Sequence, residues 1–206
     1  MKFIKKLLLL IFLLTTFIIV SAMSYTSTVS NNISNSVFRL HVIANSDSVE
    51  DQNLKYIVRD NLIQYMNTLT QNITSRDEAI QIATEHKDDF YNIALKTIRD
   101  NGYDYGVTVE ICNSYFPTKY YGDISLPAGY YDALKVEIGE SAGQNWWCVM
   151  FPPLCFVDVS TGIVPEGSKQ TIKENLPREE YALVSNNNNN SSLNIKFKLL
   201  ELFSKN

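Results

Sequence analysis

Apolar and polar positions change period several times along this chain, and each change marks an element. From Leu7 to Val20 the residues are almost all apolar, broken by Thr15 and Thr16. Residues 25–36 are polar and rich in Ser, Thr and Asn, which predicts a flexible lead-in. Over Val37–Ala44 the residues Phe38, Leu40 and Val42 share one face by alternation, the period of a strand. Asn45-Ser46-Asp47-Ser48 is then a turn that offers helix-capping side chains. Leu54, Val58, Leu62, Met66 and Leu69 recur at helical spacing up to about Leu69. A second helix starts at the capping-box pair Ser75 and Glu78. It carries Ala79, Ala83, His86, Phe90, Ala94 and Ile98 on its inner face and ends at Asn101-Gly102.

Beyond Gly102 the period becomes two. Val107, Val109 and Ile111 alternate with polar residues, and a Pro/Gly-punctuated stretch, Phe116–Gly122, leads to a short strand near Ile124–Leu126. After a turn at Pro127–Gly129, Leu134, Val136 and Ile138 form the next strand, followed by a polar hairpin loop from Gly139 to Asn145. Trp146–Phe151 is unbroken apolar, which predicts a strand buried on both faces. Pro152-Pro153 stops it, and Leu154–Val157 is a further short apolar piece. One strand and two helices followed by a mainly antiparallel sheet of about four strands predict a two-layer α+β domain over 37–160, with a C-terminal helix added. Residues 161–192 read as a polar, partly disordered linker holding one short helix, Ser168–Leu176, and the asparagine run Asn186–Asn190. Residues 193–206 form an amphipathic segment suited to docking on the domain, a membrane or a partner.

Charge sharpens the reading of the N-terminus. Lys2, Lys5 and Lys6 precede the apolar run, and the small residues Ser21, Ala22 and Ser24 follow it. That order predicts a secretory signal peptide over 1–24, cleaved after Ala22 or after Ser24. The rival reading is an uncleaved anchor, although a span needs about 20 mostly apolar residues. In both cases the lysine-rich end stays inside and the bulk of the chain crosses the membrane. The formal net charge is −4, and loss of the lysine-rich segment makes the remainder more acidic. With no dominant basic patch, nucleic acid is not an expected partner. The chain has three cysteines, Cys112, Cys148 and Cys155. An exported chain permits a disulfide, and Cys148 and Cys155 are the near pair, with Pro152-Pro153 between them to fold the chain back. Three buried thiols are the alternative.

Catalytic chemistry is not legible. The two histidines, His41 and His86, fall on a strand and on a helix, away in sequence from every cysteine. There is no GxSxG, HExxH, P-loop or Gly-rich dinucleotide turn, and no cofactor or metal site is expected. Asp47 and Asp51 lie one helical turn apart, but a cap and a dipole partner account for them. Two features exceed what folding requires. One is the turn Asn45, Ser46 and Asp47 with Asp51 and Arg59. The other is the aromatic and proline set Phe116, Pro117, Tyr120, Tyr121, Trp146, Trp147, Phe151, Pro152 and Pro153. Aromatic residues are favoured at interfaces because they bury large area at small entropic cost. Core packing competes with that reading. Trp146 and Trp147, adjacent in a strand, must point to opposite faces.

These stretches carry a resemblance. Phe38-Arg39-Leu40-His41-Val42-Ile43-Ala44-Asn45-Ser46-Asp47-Ser48, then Glu50-Asp51-Gln52 and Val58-Arg59-Asp60, resemble the opening of the stage II sporulation protein R family. So do Phe116-Pro117-Thr118-Lys119 with Tyr121-Gly122, and Leu126-Pro127-Ala128-Gly129 with Tyr131 and Ala133-Leu134. The longest stretch is Asn145-Trp146-Trp147-Cys148-Val149-Met150-Phe151-Pro152-Pro153-Leu154-Cys155-Phe156-Val157-Asp158. The resemblance implies an intercellular signal of endospore formation. Such a protein is exported from the forespore into the space between the two membranes, where it activates a membrane-embedded aspartic-type protease of the mother cell. That protease cleaves the sigma factor E precursor. The resemblance carries no catalytic residue. On this reading the Asn45–Asp51 turn and the exposed members of the aromatic set are the expected receptor contacts, and peripheral membrane association is a further expectation. An exported cell-wall or peptide hydrolase is the alternative, and it requires a cysteine and a histidine, or two carboxylates, converging in a cleft.

Overall fold

A computed structural model describes residues 2–155 and 164–185. Phe156, Val157 and Asp158, the asparagine run and the C-terminal amphipathic segment lie outside the described residues. Helix α1 spans Lys2–Ser34, strand β1 Phe38–Ile43 and helix α2 Val49–Leu69. Helices α3, Arg76–Glu85, and α4, Lys87–Asp100, follow. The strands β2, Val107–Phe116, β3, Lys119–Tyr121, β4, Ile124–Leu126, β5, Gly129–Ile138, and β6, Asn145–Phe151, come next. Two short helices, α5 over Glu166–Asn175 and α6 over Arg178–Val184, end the described chain.

The α+β class is as expected. β1, β2, β5 and β6 form a four-stranded sheet in the order β2-β5-β1-β6, and β3 and β4 form a separate hairpin. β1 runs parallel to β5 and antiparallel to β6, while β2 and β5 are antiparallel. Register divides the sheet into two faces. Leu40 stands beside Leu134, and Val42 stands beside Val136 and Trp146; these residues meet the helices. Leu54, Val58, Leu62 and Met66 of α2 are buried there with Phe90, Ala94 and Ile98 of α4. Arg39, His41, Ala133, Lys135 and Trp147 occupy the opposite face. The aromatic rings of Phe116, Tyr121 and Tyr131 gather around Arg39 on that side.

Several expectations change. The lead-in at 25–36 is helical as far as Ser34, because Val29 and Ile33, four residues apart, share a helix face and are buried in the core. Asn32 donates to Glu180 of α6 at 2.8 Å, and the Ser36 hydroxyl closes the helix end on the Ile33 carbonyl at 2.7 Å. The helix predicted from Ser75 to Asn101 breaks at His86. Asp88 and Asp89 restart it from the positive end of the α4 dipole, and His86 Nδ1 pairs with Asp89 at 2.8 Å instead of facing the core. Gly139–Gln144 is not a hairpin loop, because β1 lies between β5 and β6. Among the described residues β6 is an edge strand, open at its N-terminal end and buried toward Phe151. β3 was hidden in the Pro/Gly stretch; it is a short strand turned back on β4 at Gly122, whose φ is +58°. The predicted helix near 168–176 is α5, and α6 follows it without having been foreseen.

Candidate functional site

The turn after β1 is a closed hydrogen-bond unit. Asp51 is 4% exposed. Its Oδ2 accepts from Asn45 Nδ2 at 2.8 Å and from Ser46 Oγ at 2.5 Å. Burial alone would push the Asp51 carboxyl up, but the combined donors from Ser46, Asn45, Tyr105 and Ser48 hold it below the usual carboxylate value. Ser48 caps α2 by accepting from the Asp51 amide at 3.1 Å. The same turn grips the segment between β5 and β6. Asn45 Oδ1 accepts from the Glu140 amide at 2.9 Å, and Asp47 Oδ1 accepts from the Gln144 amide at 2.8 Å. Gly143 has no room for a side chain, because a Cβ there would strike the Ser46 carbonyl. The capping residues recognised in the sequence therefore lock two crossings of the chain together.

The aromatic set behaves differently. Phe116 is 0% exposed beneath the Arg39 guanidinium, 4.0 Å from its ring centroid, and so presents no contact surface. Pro152 is buried too, while Pro153 is exposed and Pro117 half-buried. Trp146 and Trp147 do point to opposite faces. Trp146 meets Tyr56 edge-on at 5.4 Å, with the Arg59 guanidinium 4.2 Å from its ring. Arg59 thus belongs with this patch and not with the turn, and its Nη2 pairs with Asp60 at 2.6 Å. Trp147 stacks on His41 at 5.7 Å, and Lys119 Nζ lies 4.5 Å above its ring.

Between these residues runs an open groove of about 540 Å³. The N-terminal half of β6, Asn145–Cys148, forms its floor. Lys55 and Tyr56 of α2 make one wall, and Lys119, Tyr120, Tyr121 and Gly122 of the β3 hairpin make the other. Leu154 and Cys155 close one end and Gln144 the other. Cys148 and Cys155 are joined by a disulfide, with their Cα atoms 5.2 Å apart. No Asp or Glu lines the groove among the described residues. Lys55 is 1% exposed and donates to Gln52 Oε1 at 2.5 Å and to the Gln144 carbonyl at 3.0 Å. Burial, with the nearby Arg59 charge, lowers its pKa from the usual lysine value. The indole nitrogens of Trp146 and Trp147 are buried and have no hydrogen-bond partner.

Arg39 and Lys55 were missed as site residues, although a lone arginine inside the apolar run Phe38–Ile43 is a readable signal. Arg39 is 0% exposed; its Nη2 donates to the Tyr121 hydroxyl at 2.5 Å and its Nε to the Cys148 carbonyl at 3.4 Å. His41 Nε2 pairs with Asn145 Oδ1 at 2.6 Å. Burial lowers the His41 pKa more than this bond raises it, which favours the neutral ring. The structure does not bring a cysteine to a histidine. Cys148 and Cys155 are bonded to each other, and Cys112 Sγ contacts Ser114 Oγ at 3.2 Å. Among the described residues, no group of His, Cys, Asp and Glu side chains is arranged to hold a metal ion.

Taken together, these features define an α+β domain with a groove along a strand edge, carried on an N-terminal helix long and apolar enough to cross a membrane. The sequence model of one family, stage II sporulation protein R, matches residues 34–161, well over half of the chain. The chain belongs to the stage II sporulation protein R family. It is 40% identical over 130 residues to the stage II sporulation protein R of Bacillus subtilis (strain 168), a match covering 63% of this chain and 58% of that protein. No solved structure matches it. The apolar N-terminal helix fits a signal or transmembrane segment.

Proposed function

We propose that this protein acts in endospore formation as an exported signal that activates a membrane-embedded aspartic-type protease of the mother cell, leading to cleavage of the sigma factor E precursor. The observation that carries the proposal is the 40% identity to a stage II sporulation protein R. The apolar N-terminal helix supports it by providing a route across the forespore membrane. α1 has 33 residues. At about 1.5 Å per residue it is about 50 Å long, more than the ~30 Å hydrocarbon core. Its last two turns can therefore stay docked on the domain whether or not the apolar part is removed.

On this reading the domain works by binding. A ligand shifts a receptor between states only by its difference in affinity for them. The β6 groove is the surface assigned to that contact, and the Asn45–Asp51 turn holds the groove's Gln144 end in place. The test is to co-express the protease and the sigma precursor in a non-sporulating host, with this protein exported or retained in the cytoplasm. Cleavage only with the exported form is the expected result. Cleavage in neither arrangement overturns the proposal.

A further inference from the structure

The groove has a chemical polarity that its shape alone does not convey. Its lining residues Trp146 and Trp147 carry indole N–H donors that are buried and have no partner, and indole nitrogen can only donate. Its charged lining residues are Lys55 and Lys119 on opposite walls. This concentration of donors and positive charge lies on a chain whose net charge is −4. The complementary occupant is rich in acceptors and negative charge.

The floor adds a direction. β6 has no strand on its outer side among the described residues. The backbone groups of an antiparallel edge strand point outward at every second residue. The Val149 carbonyl is one of these, and it is taken by the Leu154 amide at 3.2 Å in the disulfide-closed turn. The Trp147 carbonyl accepts from the Tyr121 hydroxyl at 3.2 Å. The pairing edge that remains is the short stretch around Asn145–Trp147. Such an edge admits a short extended segment and blocks a long one, which protects it from indiscriminate pairing.

Building on the reading that this face meets a partner protein, we propose that the groove takes an extended acidic segment of that partner, about four residues long, laid as an added strand along β6. Neighbouring residues of a strand point to opposite sides. An acid of the segment whose side chain turns to the hairpin wall thus meets Lys119, while Lys55, buried and bonded to Gln52 and Gln144, adds positive charge behind the opposite wall and the tryptophan rings flank the backbone.

The chain contains two tryptophans, and both line the groove, so their fluorescence reports occupancy directly. The full chain in detergent is titrated with acetyl-Thr-Val-Glu-Glu-Val-Thr-amide, with the matching Lys-Lys peptide, and with the Glu-Glu peptide methylated at alternate backbone amides. A saturable shift with the Glu-Glu peptide alone is expected. Lys119→Glu weakens it at least about tenfold, Lys119→Gln weakens it less, and added salt weakens it in the unmodified chain. Absence of a saturable shift, equal binding of the Lys-Lys peptide, or unchanged binding after amide methylation overturns the proposal. Peptide binding without precursor cleavage in the co-expression test leaves the groove assignment and removes the signalling function. Cleavage without peptide binding does the reverse.

Discussion

The Asn45–Asp51 turn and the β6 groove read alike as surface features in the sequence, yet they are opposites in the folded chain. In the turn, the side chains of Asn45, Ser46, Asp47 and Asp51 all have partners within the molecule. In the groove, two indole N–H donors have none, and no acid lines the surface that Lys55 and Lys119 border among the described residues. An unsatisfied buried donor carries a desolvation penalty that a bound acceptor relieves. A satisfied cluster gains nothing from a partner. Hydrogen-bond satisfaction, more than residue type, separates a folding device from a binding surface here.

That contrast can be broken from the side of the turn first. Gly143→Ala drives a methyl group into the Ser46 carbonyl. We expect the largest loss of stability from it, about 1–3 kcal/mol, read as a drop in the urea midpoint; an unchanged midpoint would mean that the turn does not hold the β5–β6 segment. Next comes the disulfide that ends the groove. Replacing Cys148 and Cys155 together by Ser releases a loop closed across a sequence separation of 7, with an expected loss of about 2 kcal/mol. Retained peptide binding in that variant would show that the disulfide does not shape the groove.

Asp51→Asn follows, with a loss of about 1–2 kcal/mol near neutral pH, because the amide cannot accept from all the donors that converge on the carboxylate. The pH dependence has a definite sign. In the folded chain the Asp51 carboxyl is held below its ordinary value of 3.8. The native state thus binds fewer protons than the unfolded one as pH falls past that value. The stabilisation is complete above the unfolded pKa and drains away as pH drops through the folded one. Asp89 and Asp123 are also lowered, so the Asp51 share is the difference between the unmodified chain and the Asp51→Asn variant below about pH 4.

From the side of the groove the effects on folding are smaller. Lys119→Glu should change stability by no more than about 0.5 kcal/mol while suppressing precursor cleavage in the co-expression assay. A large fall in the urea midpoint would make Lys119 part of the fold instead. The smallest effect is at His41. NMR titration should place its pKa below 6.5, and Asn145→Ala should lower it further, because the Asn145 bond raises it. A rise in that variant would contradict the geometry at the head of β6.

Periodicity by itself determined the class of fold, a strand within Val37–Ala44, a helix from the Asn45–Ser48 turn to about Leu69, and the apolar N-terminal run, while the choice of Ser48 over Asp47 as that helix's cap came from the structure. Each depends on contacts between residues close in the chain, and such contacts leave a repeat of two or 3.6. The same local reading mistook residues 25–36 for a flexible lead-in and fused two helices across His86. Val29 and Ile33 look solitary among polar neighbours until the core supplies a surface for them, and His86 needs Tyr65 and Asp89 to reveal that it leaves the helix. What only the tertiary structure decided is the placement of β1 between β5 and β6. That placement makes β6 an edge and sets Lys55 opposite Lys119 across it. It also brings the turn onto Gly139–Gln144 and encloses Arg39 in aromatic rings. Strand order and side-chain satisfaction join residues far apart in sequence, and no local period records such pairings.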